Sequence, residues 1–270
     1  MAQTLLIALD GATYTVLDPL MEQGVMPFFK ELCEAGSRTV LMSTRHPLTP
    51  PAFVTMVTGR SPGHHGVFDF TRVDDQGATV AFPLYDSRDV RCETIWSIAN
   101  RQNRKVAALN FVFTAPTSPV CGVVVPGLVQ WKHLRRHTYP ASFYDRLKTL
   151  PWFDPKTMCW DFRRERQAIA MGKATDLAEW VQYHIDRETQ WFNILRYLMK
   201  KEPTDLVSVV FDGVDKIQHL CWEYLDPAFA ASAVSDAGRK IQELCRTYFQ
   251  RLDAFLREMV QTAGPQARLL

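Results

Sequence analysis

The run Leu5-Leu6-Ile7-Ala8-Leu9, stopped by Asp10-Gly11, is the feature that most limits what this chain can fold into. An apolar stretch without polar alternation suits a strand covered on both faces, as in a parallel sheet. Leu206–Phe211 reads the same way and again ends on Asp-Gly, at Asp212-Gly213. Val106–Phe111 and Val120–Val125 are further strand candidates, and Thr39–Met42 is another. Helical patterns lie between them. Residues 14–23 and 27–35 are closed by Gly24 and Gly36, and Pro51–Thr58 is closed by Gly59. Arg91–Gln102, a tract over about 161–200 and another over about 228–262 also read as helix. Strands alternating with helices predict an α/β fold with a mainly parallel sheet flanked by helices.

Two segments do not follow that alternation. Residues 60–90 hold Gly, Pro and Asp in numbers that predict an irregular excursion. Residues 126–160 combine Pro, Trp and basic residues and read as a loop-rich cap, which with the helical tract behind it makes a cap insertion over about 126–200. The expected organisation is a single domain over 1–270 carrying that insertion.

Composition removes several function classes. The 31 Lys and Arg against 29 Asp and Glu leave a net charge of +2, which supplies no broad field for nucleic acid or an anionic membrane. The six cysteines include no C-x-x-C pair and read as reduced, packed thiols. The first ten residues lack a basic leader region, and no later stretch reaches about 18 apolar residues. The expected setting is cytoplasmic, with a small-molecule partner rather than nucleic acid or membrane.

Open parallel sheets place their functional groups just beyond the carboxyl ends of the strands. Asp10 stands there, although a lone Asp-Gly also serves as an Asx turn or a helix cap. Thr49, before Pro50-Pro51, is placed as the N-cap of the helix that follows. The same placement would put a hydroxyl at a helix N-terminus, where free N–H groups and the helix dipole favour a phosphate. Asp215 and His219 are four residues apart, so one helical turn puts carboxylate and imidazole on a common face, either as a surface pair or as a chelate for a divalent cation. Asp212, nearer the strand end, is a competing ligand candidate. His64, His65 and Asn110 are further site candidates, and Trp131, Trp152 and Trp160 could line a cap or simply pack.

Taken in order, Leu-Asp-Gly-Ala at 9–12, Leu-Thr-Pro-Pro-Ala at 48–52, Val-Thr-Gly-Arg-Ser-Pro-Gly-His-His-Gly-Val at 57–67 and Asp-x-x-x-His at 215–219 form a set. It resembles the type I phosphodiesterase/nucleotide pyrophosphatase branch of the alkaline phosphatase superfamily. The resemblance implies that Asp10 ligates one metal, that Thr49 is the nucleophile and touches that metal, and that Asp215 and His219 bind a second. Two divalent ions are implied; oxygen and nitrogen donors suit zinc, with manganese or magnesium as alternatives. The implied activity is hydrolysis of phosphodiesters or pyrophosphates through a phospho-threonine, on a small phosphorylated substrate.

The family's remaining ligands, an Asp-His pair in a Ser-Asp-His-Gly motif and a later His, have no counterpart here. Gly264–Leu270 reads as a turn entering another strand, so the catalytic domain is expected to be C-terminally incomplete. Ala52 stands where nucleotide pyrophosphatases carry an Asn, three residues after the nucleophile. Alternative readings are a phosphatase, phosphomutase or sulfatase relative, and a non-catalytic remnant that binds phosphorylated ligands.

Overall fold

A computed structural model describes residues 3–77, 79–171, 174–230 and 235–270. In chain order it places β1 at Thr4–Leu9, α1 at Tyr14–Glu22, α2 at Pro27–Ala35, α3 at Thr49–Thr58 and α4 at Pro62–His65. The short strands β2 (Asp74–Asp75) and β3 (Val80–Ala81) precede α5 (Ile95–Arg101), β4 (Val106–Leu109) and β5 (Gly122–Val125). Next come α6 (Trp131–His137), α7 (Ala141–Leu147), α8 (Pro155–Met158), α9 (Phe162–Met171) and α10 (Ala174–Lys201). The chain finishes with β6 (Leu206–Phe211), α11 (Gly213–Leu225), α12 (Pro227–Ala230), α13 (Asp236–Ala263) and β7 (Arg268–Leu269).

The main sheet is parallel throughout, in the order β5-β4-β6-β1-β7. This is the α/β architecture that the apolar runs require. Leu5, Val207, Val209 and Leu109 are each almost fully buried, as expected where helices cover both faces. Leu9 is in register with Phe211, and Leu109 with Val209, so neighbouring strands end at nearly one level. Below them α10 and α13 pack against each other, and Phe192 of one stacks on Phe255 of the other with ring centroids 4.2 Å apart.

One expected strand is absent. Thr39–Met42 forms no strand, and Val40, Leu41 and Met42 are exposed. The β-branched and apolar side chains favour extended backbone, yet a strand needs a hydrogen-bonding neighbour, and the segment pairs with none of the described strands.

Segment 126–200 divides in two. Leu134, Phe143, Leu147 and Met158 lie in the same core as the sheet, as do Val181, Trp191 and Leu195 of α10. Trp160 instead reaches the cleft at the carboxyl edge. No helix among the described residues is long and apolar enough to cross a membrane.

Candidate functional site at the carboxyl edge of the sheet

Three adjacent strands each hand the chain to a polar residue: β1 to Asp10, β4 to Asn110 and β6 to Asp212. The register brings these ends together. Asp10 N–H donates to Phe211 O at 3.1 Å, and Asn110 Nδ2 donates to Val210 O at 2.9 Å and to Asp212 Oδ1 at 3.0 Å. Asn110 holds a left-handed φ of 64°, a conformation that Asn tolerates better than most residues. A small solvent-open cleft lies over these ends, with Thr49, Arg187 and Lys216 among its walls.

Thr49 Oγ1 donates to Asp10 Oδ2 at 3.3 Å, so these two expected site residues meet. The local geometry differs from the expected cap. Leu48 is the N-cap of α3, Thr49 is its first helical residue, and the cap position makes no side-chain hydrogen bond. Pro50 and Pro51 carry no N–H, and Ala52 N–H is bonded to Leu48 O at 3.2 Å. The first turn therefore offers a ligand little beyond the Thr49 N–H itself, which weakens the expected helix-terminus contribution.

Asp215 joins the group through a glycine. Gly11 has φ of 63°, and a Cβ there would lie 2.9 Å from Asp215 Oδ1. Only a glycine admits both that turn and the close approach of α11. Gln218 Nε2 fastens the helix by donating to Gly11 O at 2.9 Å. His219 Nε2 lies 3.3 Å from Asp215 Oδ1, and its side chain is 68% exposed. The expected one-face placement is present.

Crowded carboxylates show in the electrostatics. Burial first, then the charges of Asp215 and Asp212, push the Asp10 carboxyl up to about 7. Burial also raises Asp215, opposed by His219 and Lys216. Asp212 behaves differently: burial would raise it, but the Arg187 guanidinium paired to it holds it below the ordinary range. That pairing, with Asn110 on the same oxygen, makes Asp212 a partly buried anchor rather than a free ligand.

Behind the cleft, with Arg187 reaching its wall, lies a polar layer that the motif reading missed. Arg187 and Glu188 of α10 are buried, with 3.7 Å between Arg187 Nη1 and Glu188 Oε1. Glu188 Oε1 accepts from Gly213 N–H at 2.9 Å. Burial, reinforced by Asp212, pushes Glu188 up to about 8, and burial drives His184 down to about 3. A signal was present. Residues 177, 181, 184, 188, 191, 195 and 198 repeat at helical spacing and all are buried, so His184 and Glu188 stand in an apolar stripe.

The other candidates separate clearly. His65 is fully buried, with Nε2 2.9 Å from Thr55 Oγ1 and Nδ1 accepting from Val67 N–H, so it locks α3 to α4. His64 is exposed and bonds Ser61. Neither lines the cleft; of the three tryptophans, only Trp160 does.

The donors suit a divalent cation in kind. Asp10 with Thr49 supplies carboxylate and hydroxyl oxygen, and Asp215 with His219 supplies carboxylate oxygen and imidazole nitrogen. They fall short in number: among the described residues no group of three or more His, Cys, Asp or Glu side chains could hold one ion.

The model of the family "type I phosphodiesterase / nucleotide pyrophosphatase" matches residues 4–269. Two solved structures of phosphonoacetate hydrolase from Sinorhizobium meliloti 1021 resemble the chain. The complex with phosphonoacetate is 14% identical, with a TM-score of 0.48, covering 96% of this chain and 54% of that one. The complex with phosphonoformate is 15% identical, with a TM-score of 0.48, covering 94% and 54%. The chain thus spans about half the length of these structures. No curated protein matches it. The match over residues 4–269 establishes that this chain belongs to the type I phosphodiesterase/nucleotide pyrophosphatase family.

Proposed function

We propose that the cleft hydrolyses phosphodiesters or pyrophosphates, with Thr49 as the nucleophile and a phospho-threonine as the intermediate. The observation that carries this reading is the Thr49 Oγ1–Asp10 Oδ2 contact of 3.3 Å at the sheet's carboxyl edge, in a chain of this family. Thr49 Oγ1 forms the new bond to phosphorus while the ester or anhydride oxygen leaves with its electron pair. Asp10 Oδ2 accepts the hydrogen bond from the Thr49 hydroxyl and so stands where that proton can be received. Water then attacks the phosphorus of the threonine adduct, which still carries the substrate's other arm, returning the Thr49 hydroxyl and releasing a phosphate monoester. Asp10 with Thr49, and Asp215 with His219, would hold divalent ions, which when bound supply positive charge against the phosphoryl oxygens and lower the pKa of the nucleophile.

The test is a rapid quench during turnover of bis(p-nitrophenyl) phosphate with zinc, manganese or magnesium, followed by peptide mass spectrometry. A p-nitrophenyl phosphoryl group on Thr49 supports the reading. Turnover without that adduct, and unaltered in Thr49→Ala, assigns the nucleophile elsewhere. A second reading, a phosphate-binding protein without turnover, is favoured by the shortage of ligands among the described residues. It predicts phosphate binding with no release of nitrophenol under any of the three metals.

A further inference from the structure

Val54 and Val57 of α3, Trp96 of α5 and Val124 of β5 wall a second hollow, distinct from the cleft over the strand ends. Phe113 and Val120, from the loop between β4 and β5, also line it. Its volume is about 260 Å³, more than ten times the roughly 15 Å³ that one water needs, so it has room for a small molecule. None of the described residues that line it is Asp, Glu, Lys, Arg or His. An ion entering would lose hydration and gain no counter-charge, so an uncharged occupant fits best.

The polar rim is one-sided. Ser87 Oγ donates to Pro116 O at 2.6 Å, Thr114 Oγ1 donates to Phe111 O at 2.9 Å, and Thr117 Oγ1 donates to His137 O. Each hydroxyl has committed its only hydrogen to the backbone and offers a ligand oxygen lone pairs. Asn100 is the reverse. Its Oδ1 accepts from Cys121 N–H at 2.6 Å, which fixes the amide and leaves Nδ2 as its donor. The matching occupant carries an N–H or O–H for the hydroxyl oxygens and a carbonyl for Asn100, on an apolar body that suits the valines and the Trp96 ring. A lactam fused to an aromatic ring has all three.

Phe113 adds an independent sign. It holds a left-handed φ of 54°, an outlier for a bulky residue, and such strain gathers at ligand clamps and active sites. Val112 beside it borders both the hollow and the cleft, and α3 gives Phe53 to the cleft and Val54 and Val57 to the hollow. We propose that the hollow is a binding site for an uncharged aromatic lactam or amide. The ligand N–H donates to the oxygen of Ser87 or Thr117, and its carbonyl accepts from Asn100 Nδ2. The site stands apart from the hydrolase reading, because none of these residues reacts with phosphorus.

The test uses 2-quinolone, a flat lactam with an N–H and a carbonyl, and N-methyl-2-quinolone, which lacks the donor. Both are titrated against the 270-residue chain by ligand-observed NMR. Loss of one hydrogen bond corresponds to roughly tenfold in affinity, so the N-methyl compound should bind about tenfold more weakly. Asn100→Asp keeps the oxygen that accepts from Cys121 N–H and replaces the donor by a charge, so it should weaken 2-quinolone by at least as much. Cys92 lines the hollow and gives a readout on the unaltered chain. Bound 2-quinolone should slow alkylation of Cys92 by N-ethylmaleimide, read by peptide mass spectrometry, and leave that of Cys33 on α2 unchanged. Inorganic phosphate should not displace it. No binding of 2-quinolone, equal affinity for the two quinolones, an unprotected Cys92, or displacement by phosphate would each overturn the proposal. Quinolone binding by a chain that forms no Thr49 adduct would sink the hydrolase reading alone.

Discussion

Asn110 and Asp212 are joined by a 3.0 Å hydrogen bond between Nδ2 and Oδ1, across the ends of the neighbouring strands β4 and β6. The bond ties the strand ends to the ion pair at the cleft wall, because Arg187 contacts the same Asp212 oxygen. Side chains open to the cleft, such as Thr49, can meet ligand, whereas the buried Arg187 and Glu188 hold the fold. The division decides which substitutions should cost activity and which should cost stability.

Thr49 is open to the cleft. Thr49→Ala should lower phosphodiester turnover by at least about a thousandfold if its oxygen is the nucleophile, given how far rates fall when a nucleophile is removed. It should cost well under the roughly 1 kcal/mol of a lost helix cap, because the Thr49 side chain caps nothing. Turnover and urea midpoints measured on one preparation check both halves.

Asp10 gives a pH signature. Its carboxyl sits at about 7 in the fold against an ordinary 3.8, so between those values the folded chain binds more protons than the unfolded one. Stability then falls as pH rises from about 4 to about 7, by at most on the order of 4 kcal/mol. Asp10→Asn keeps an acceptor for the Thr49 hydroxyl and removes the titration. With a chelator present, it should melt higher than wild type at pH 8 and equally near pH 3. Equal melting at both values would show that Asp10 is not held as a neutral acid.

Gly11 sets the approach of Asp215. Gly11→Ala imposes a left-handed alanine, costing about 1–2 kcal/mol, and drives a methyl to 2.9 Å from Asp215 Oδ1. We expect a lower melting temperature together with weakened divalent-metal affinity. A variant that melts lower but titrates metal like wild type would separate Asp215 from metal binding.

Much of this arrangement was legible in the sequence. Apolar runs ending at Asp10 and Asp212 marked strands covered on both faces, and their carboxyl ends are where the cleft lies. The spacing of Asp215 and His219 predicted their shared face. Two readings failed for physical reasons. Thr39–Met42 has strand chemistry but no strand beside it, and pairing depends on tertiary neighbours. Thr49 sits one residue inside the helix because Leu48 takes the extended N-cap conformation. Arg187 was hidden because a charged residue in a long polar helix reads as solvent-facing, and its partner Asp212 lies 25 residues away.

Arg187 is a buried wall of the cleft, paired to Asp212. Arg187→Met leaves the partly buried Asp212 carboxylate without its counter-charge, at a cost below the roughly 3–5 kcal/mol of a fully buried pair because the cleft admits water. Adding Asp212→Asn should recover much of that loss, since the amide needs no counter-charge. Denaturant unfolding of the two single variants and the double variant measures the coupling. Additive losses would show that the pair does not act as a unit.

Glu188 completes the argument about charge balance in that layer. One guanidinium faces two carboxyls, and only one carboxyl can be ionised cheaply in a buried site. Arg187 holds Asp212 low, while burial and the Asp212 charge push Glu188 up to about 8 from an ordinary 4.5. The folded chain therefore keeps the Glu188 proton over a window in which the unfolded chain has released it. This contribution to stability falls as pH rises from about 4.5 to about 8 and is constant above that. Glu188→Gln preserves the oxygen that accepts from Gly213 N–H and cannot ionise. The variant should match wild type near pH 4, gain on it steadily up to about pH 8, and hold a fixed advantage beyond. Titration of Asp10 is common to both chains and cancels in the difference. If Glu188→Gln is instead less stable at every pH above 5, Glu188 is ionised in the fold and Arg187 serves both carboxylates.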